Sequence, residues 1–178
     1  MDLSSDNAQR HTLAVLVDNR PGVLARVSAL ISGRGFNIDS LSVAETMDPD
    51  VSLITLITTG TPKIISQVIK QLRKLINVIK VTDLAEVDHV ERQLVMVRVK
   101  AVEGHRAEIM RLAKIFRAQI IDVSSRTYTL EITGGQDKIR AALTLLADFG
   151  VEEQVSTGLT AISRSPLAVK KPDSKPGH

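Results

Sequence analysis

The order of apolar patterns constrains the fold more than any other feature, because one succession of patterns occurs twice. "HTLAVLVD" alternates, placing Leu13, Val15 and Val17 on one face of a half-buried strand. Apolar residues then recur at Val23, Leu24, Val27, Leu30 and Ile31, one helical stripe that Gly33 and Gly35 bring to a stop. "FNIDSLSVA" and "VSLITLITT" read as two strands joined by the turn-rich "ETMDPD". Thr61 is placed to cap, and Pro62 to open, a second helix with Ile65, Val68, Leu72 and Leu75 inward. "NVIKVTDL" makes a fourth strand.

The second round begins at "QLVMVRVKAV", a strand, followed by the helix "GHRAEIMRLAKIFRA" with Ile109, Ala113 and Phe116 inward. "QIIDVSS" and "RTYTLEITG" are strands, "QDKIRAALTLLADFG" a helix burying Ile139, Leu143 and Leu146, and "VEEQVSTGLTAI" closes the set. Each round is a split β-α-β unit. The expected fold class is therefore α+β: two consecutive ferredoxin-like βαββαβ domains, each an antiparallel sheet with both helices on one face. The expected organisation is a flexible N-terminus over 1–10, a first domain over 11–85, and a linker over 86–92 in the polar joint "AEVDHVER". A second domain over 93–164 and a disordered basic tail over 165–178 complete it. Sheet edges and bare sheet faces are normally paired or covered, so oligomerisation or docking is expected.

Composition excludes several functions. With no cysteine, the chain cannot form disulfides, zinc–thiolate sites or a thiol nucleophile, which fits a reducing cytoplasm. The start "MDLSSDNAQR" is polar and acidic and lacks the basic start and the apolar run of a secretory signal. No apolar run approaches the roughly 20 residues that span a bilayer, so no membrane partner is expected. The net charge of +3 resides in the end of the chain, where Arg164, Lys170, Lys171 and Lys175 stand against Asp173. A neutral body is a poor binder of phosphate backbones. Where an RNA-recognition domain stacks bases on aromatics, the strands here offer Val, Thr and Leu. No nucleic-acid partner is expected.

Catalytic chemistry is equally sparse. The histidines are His11, His89, His105 and His178, and only His89 has an acidic residue directly beside it, Asp88, with Glu91 two positions further on. "SGRGFN" follows a helix instead of opening one, and no Gly-Lys-Ser/Thr loop, nucleophile elbow or paired-carboxylate pattern is present. Neither a catalytic nor a metal site is predicted.

One corner stands out, "DNRPGVLARV". Pro21 suits the first helical position, and the amides of Gly22, Val23 and Leu24 then lack intrahelical partners at the positive end of the helix. Gly22 lets a ligand approach the backbone, and Asn19 can cap the helix or offer a donor and an acceptor. A small zwitterion with a short aliphatic side chain matches these groups. The same residues are also good turn-and-cap chemistry with no ligand at all.

"LVDNRPGVLARVSALISGRGFNIDSLSV" resembles the opening of an ACT domain, the small-molecule sensor of amino-acid metabolism. With "RGFNIDSLSVAET", "QLRKLINVIKVTDL", "HVERQLVMVRV" and "IFRAQIIDVSSRTYTLEITG" in that order, the chain resembles the regulatory-subunit family of acetolactate synthase. The resemblance implies a non-catalytic subunit, homodimeric through its ACT domains. It would activate a thiamine-diphosphate-dependent catalytic subunit and confer feedback inhibition by valine in branched-chain amino-acid synthesis. It also implies that thiamine diphosphate, Mg2+ and FAD belong to that partner, with no cofactor in this chain. Its effector residues map to Asn19, Pro21, Gly22, Val23 and Leu24, with Asn37 and Ile38 facing the corner from a neighbouring chain. The second half lacks the Asn-x-x-Gly signal and is implied to contact the catalytic subunit. A free-standing amino-acid sensor acting on another enzyme or on transcription is the alternative reading.

Overall fold

The first four strands form one antiparallel sheet because each carries an alternating or continuous apolar face. In the computed structural model these are β1 (Gln9–Asp18), β2 (Ser40–Glu45), β3 (Val51–Gly60) and β4 (Val78–Asp83), in the order β2-β3-β1-β4. Helices α1 (Val23–Ser32) and α2 (Pro62–Leu72) connect them. Residues 8–33 and 35–165 are described; residues 1–7 of the expected flexible start and the basic tail from 166 lie outside them. The register sets Leu13 opposite Leu56, Val15 opposite Ile54 and Val17 opposite Ser52. These buried residues share a face, the period-two result of the strand pattern. The helices contribute Val23, Val27 and Ile31 from α1 and Ile65, Val68 and Leu72 from α2, all buried. Helix α2 starts as its sequence dictates: Thr61 Oγ1 accepts from the Ile64 amide at 3.4 Å, and Pro62 opens the first turn.

The second sheet repeats the arrangement with β5 (His89–Lys100), β6 (Gln119–Val123), β7 (Thr127–Gly134) and β8 (Val151–Ser156), ordered β6-β7-β5-β8. Helices α3 (Arg106–Ile115) and α4 (Gln136–Ala147) connect them, and β9 (Thr160–Ser163) also pairs with β5. Val95, Val97 and Val99 face Ile132, Leu130 and Tyr128 across the β5–β7 ladder. Together with Ile109, Ile139 and Leu146 they make a continuous core. Both central strands slip register at matching places, between Leu16 and Val17 against β4 and between Arg98 and Val99 against β8. The chain thus falls into two compact units, the second built on Val90–Ala161. Each has the ferredoxin-like βαββαβ order.

Several boundaries differ from the sequence expectation. Strand β1 begins at Gln9, inside the stretch expected to be flexible, because Gln9 and Arg10 pair with Gly60 and Thr59. Strand β5 begins at His89, inside the polar joint, where β9 supplies partners for its backbone. Strand β2 starts only at Ser40, since Asn37 and Asp39 are engaged by the Thr58 and Thr59 hydroxyls. Helix α3 ends at Ile115, and Arg117 turns the chain with φ 48°. The closing stretch "VEEQVSTGLTAI" divides into β8 and β9. No helix among the described residues is long and apolar enough to cross a membrane.

Candidate functional site

The corner after β1 is a type II turn followed by a helix, and this changes the role of three residues. Gly22 has φ 82° and ψ −8°, and the Val23 amide donates to the Arg20 carbonyl at 3.3 Å. Those angles at the third residue, with proline at the second, define the type II turn. Pro21 therefore precedes α1 and is not its first residue; Gly22 is the N-cap, and its carbonyl accepts from the Arg26 amide at 3.1 Å. The Val23 amide is consumed by the turn and its side chain is buried in the core, so Val23 offers a ligand nothing. The free donors of the helix start are one residue further on, at Leu24 and Ala25. No side chain caps them, and no acidic residue stands in the first turn. The first turn of α1 thus supplies no charge of its own against the positive end of the helix. Leu24 lies 40% exposed beside it, and a Cβ built on Gly22 would meet nothing within 4 Å.

Asn19 does not cap the helix. Its Nδ2 donates to Glu45 Oε1 at 3.1 Å and to the Pro49 carbonyl at 2.9 Å, while its amide donates to the Asp50 carbonyl at 2.7 Å. Asp18 and Asn77 brace the corner from the other side. The Asp18 amide donates to the Asn77 carbonyl at 2.9 Å, and Asn77 Nδ2 to Asp18 Oδ2 at 3.0 Å. Arg26 of α1 in turn donates to Asn77 Oδ1 at 3.1 Å. Glu45, Pro49 and Asn77 carry no individual signal in the sequence: "ETMDPD" reads only as a turn, and its partnership with Asn19 spans about thirty residues.

Asn37 and Ile38 are not brought to the corner within one chain. Asn37 Nδ2 donates to Asp39 Oδ1 at 2.7 Å, and its carbonyl accepts from Thr58 Oγ1 at 2.7 Å. Thr58 pairs with His11 and Val51 with Asp18, so the two places lie at opposite ends of the sheet. That separation is about 23 Å at a strand rise of 3.3 Å per residue.

Family models match both halves. Residues 13–80 match the "AHAS small subunit-like ACT domain" and residues 92–165 the "Small subunit of acetolactate synthase". The acetolactate synthase small subunit of Aquifex aeolicus is 41% identical over 98% of this chain and 91% of its own length. This chain belongs to the acetolactate synthase small-subunit family. The probable small subunit of Archaeoglobus fulgidus is 48% identical over 87% of this chain and 97% of its own. The crystal structure of the Thermotoga maritima small subunit superposes with TM-score 0.79 at 40% identity, covering 89% of this chain and 99% of that one.

The described histidines and their polar partners lie outside the corner. His11 Nδ1 lies 2.6 Å from Asp83 Oδ2, a part-buried pair that no local pattern could reveal because the partners meet only through the β1–β4 ladder. Asp83 Oδ1 also accepts from the Ala85 amide at 3.0 Å. Since the carboxylate can only accept, Nδ1 carries the hydrogen. The pair borders a cleft of about 240 Å3 with Lys70, Arg73 and Glu86, away from the corner. His89 Nδ1 lies 2.9 Å from the Val87 carbonyl, and His105 packs edge-on against Phe149. Among the described residues, no group of three or more His, Asp or Glu could hold a metal.

Proposed function

We propose that this chain is the non-catalytic regulatory subunit of acetolactate synthase, and that its corner at Asn19–Ala25 senses valine. In this reading it binds the thiamine-diphosphate-dependent catalytic subunit, a cytoplasmic transferase, raises its activity and couples it to the end product of the pathway. Thiamine diphosphate, Mg2+ and FAD belong to the catalytic partner. Membership of the small-subunit family supports the partnership. The observation that carries the sensing function is the start of α1 at Gly22, with neither a side-chain cap nor an acidic residue in its first turn, set beside the tethered amide of Asn19.

A free valine offers one carboxylate for the Leu24 and Ala25 amides and one ammonium for an acceptor. Its short side chain meets apolar surface at Leu24. The separation of Asn37 from Asn19 within one chain favours a dimer. Strand β2 is at the edge of its sheet, with Asn37 just before its start and Glu45 at its end. Antiparallel pairing of β2 with its copy would join the sheets, satisfy the edge and bring Asn37 and Ile38 of the partner subunit toward Asn19. Valine then acts as a clamp on one dimer arrangement. Linkage requires unequal affinity for the two arrangements, typically about 1–3 kcal/mol of coupling.

Calorimetric titration tests the reading. The full chain, alone and with the catalytic subunit, is titrated with valine, leucine, isoleucine and an unrelated amino acid. Valine binding together with co-purification of a large thiamine-diphosphate enzyme is expected. Valine binding without such a partner points to a free-standing sensor, and no binding in either state rejects the corner as an effector site.

A further inference from the structure

We infer that Glu45 and the Pro49 carbonyl fix the polarity of Asn19, so that the corner recognises an α-ammonium group through Asn19 Oδ1 and rejects the 2-oxo acid of the same carbon skeleton. The inference rests on the reading of the corner as an amino-acid site.

Both partners of Asn19 Nδ2 are acceptors without hydrogens: a carboxylate oxygen at 3.1 Å and a main-chain carbonyl at 2.9 Å. The orientation of the side-chain amide is thereby decided, because the reversed amide would set oxygen against oxygen twice. An amide nitrogen has two hydrogens, and both are committed. What Asn19 leaves for a ligand is its oxygen, a pure acceptor. It cannot hold a carboxylate. The donors of the corner lie at the other side, at the start of α1, so the two ligand charges are sorted to opposite ends of the site.

The segment that imposes this is itself ordered by short-range bonds. The Thr46 amide donates to the Val51 carbonyl and the Val51 amide to the Asp48 carbonyl, each at 3.0 Å. Thr46 Oγ1 lies 3.0 Å from the carbonyls of both Asp48 and Val51, and the Asp50 amide donates to Asp48 Oδ1 at 3.1 Å. The turn holds Pro49 and Asp50 where they grip Asn19 by its side chain and by its main chain. Glu45 is therefore a positioning residue. Its charge beside the Asn19 amide also favours a cation over a neutral donor. A 2-oxo acid presents a carbonyl oxygen where an amino acid presents an ammonium, so it meets the Asn19 oxygen with a lone pair.

The experiment measures a ratio of dissociation constants, 3-methyl-2-oxobutanoate over valine, on the full chain with its catalytic subunit. The native protein should prefer valine by more than about a hundredfold, because a site built to accept a hydrogen bond discriminates strongly against an analogue lacking the donor. Asn19→Leu should collapse the preference to within about tenfold. Glu45→Ala should lower it by about tenfold, the size of a lost charge-assisted hydrogen bond. Glu45→Gln, which keeps an acceptor for Nδ2 but loses the charge, should give a ratio between those of the native protein and Glu45→Ala. A merely structural role for Glu45 would weaken both ligands alike and leave the ratio unmoved. An unchanged ratio in Asn19→Leu and Glu45→Ala overturns the inference, and if Gly22→Asp still weakens valine binding, the site reading survives without it. A native complex that binds no valine overturns both.

Discussion

Replacement of Gly22 probes the corner where backbone conformation and ligand charge meet. Gly22 has φ 82°, and a Cβ there meets nothing within 4 Å, so a side chain costs strain but no clash. For alanine that strain is about 1 kcal/mol. Aspartate tolerates the left-handed region better and is favoured at a helix N-cap, so it should cost no more. Urea unfolding of Gly22→Ala and Gly22→Asp should therefore show similar, small losses of stability. The two variants should part on valine. At about 4 Å from the carboxylate of a bound effector, the new carboxylate would meet a repulsion of about 1 kcal/mol in water and about 4 kcal/mol at an effective dielectric of 20. The valine concentration for half-inhibition of the assembled enzyme should rise between about fivefold and nearly a thousandfold in Gly22→Asp. In Gly22→Ala it should change by less than about fivefold. Equal losses in both would mean that turn geometry, not charge, governs binding. Native sensitivity in Gly22→Asp would remove the corner from the mechanism.

Three further outcomes follow from the packing. Asp83→Ala strands the His11 Nδ1 hydrogen and the Ala85 amide in a buried setting, and a loss of about 3 kcal/mol is expected by chemical denaturation. Leu130→Ala empties the fully buried centre of the second sheet and should cost about 2–5 kcal/mol, read in the same way. Thr61→Ala removes the cap of α2, whose bond is long at 3.4 Å, so the loss should lie near the low end of the usual range, about 0.5 kcal/mol in the unfolding free energy.

Much of this architecture is legible without coordinates, because strand and helix periodicities are local. The alternation of Leu13, Val15 and Val17, the stripe of Ile65, Val68 and Leu72, and their counterparts in the second round each report a face that must be buried, and each is buried. The repeated order then leaves few topologies, and both sheets adopt the same one. Local chemistry also reaches the Thr61 cap and the presence of a turn at Pro21–Gly22.

It does not reach the role of that turn. Pro21 has the same fixed φ as a first helical residue and as the second residue of a type II turn. The positive φ of Gly22, braced by the Asp18–Asn77 contacts at the end of β1, selects the turn and moves the free amides of the helix start on to Leu24 and Ala25. The partners of Asn19 at Glu45 and Pro49, the His11–Asp83 pair and the distance from Asn19 to Asn37 all depend on strand register. Register joins residues tens of positions apart, and a slip of one would turn every side chain to the opposite face. Periodicity along the chain therefore names the faces and the elements. Which polar groups meet, and which of their atoms are left for a ligand, follows from pairing across the sheet.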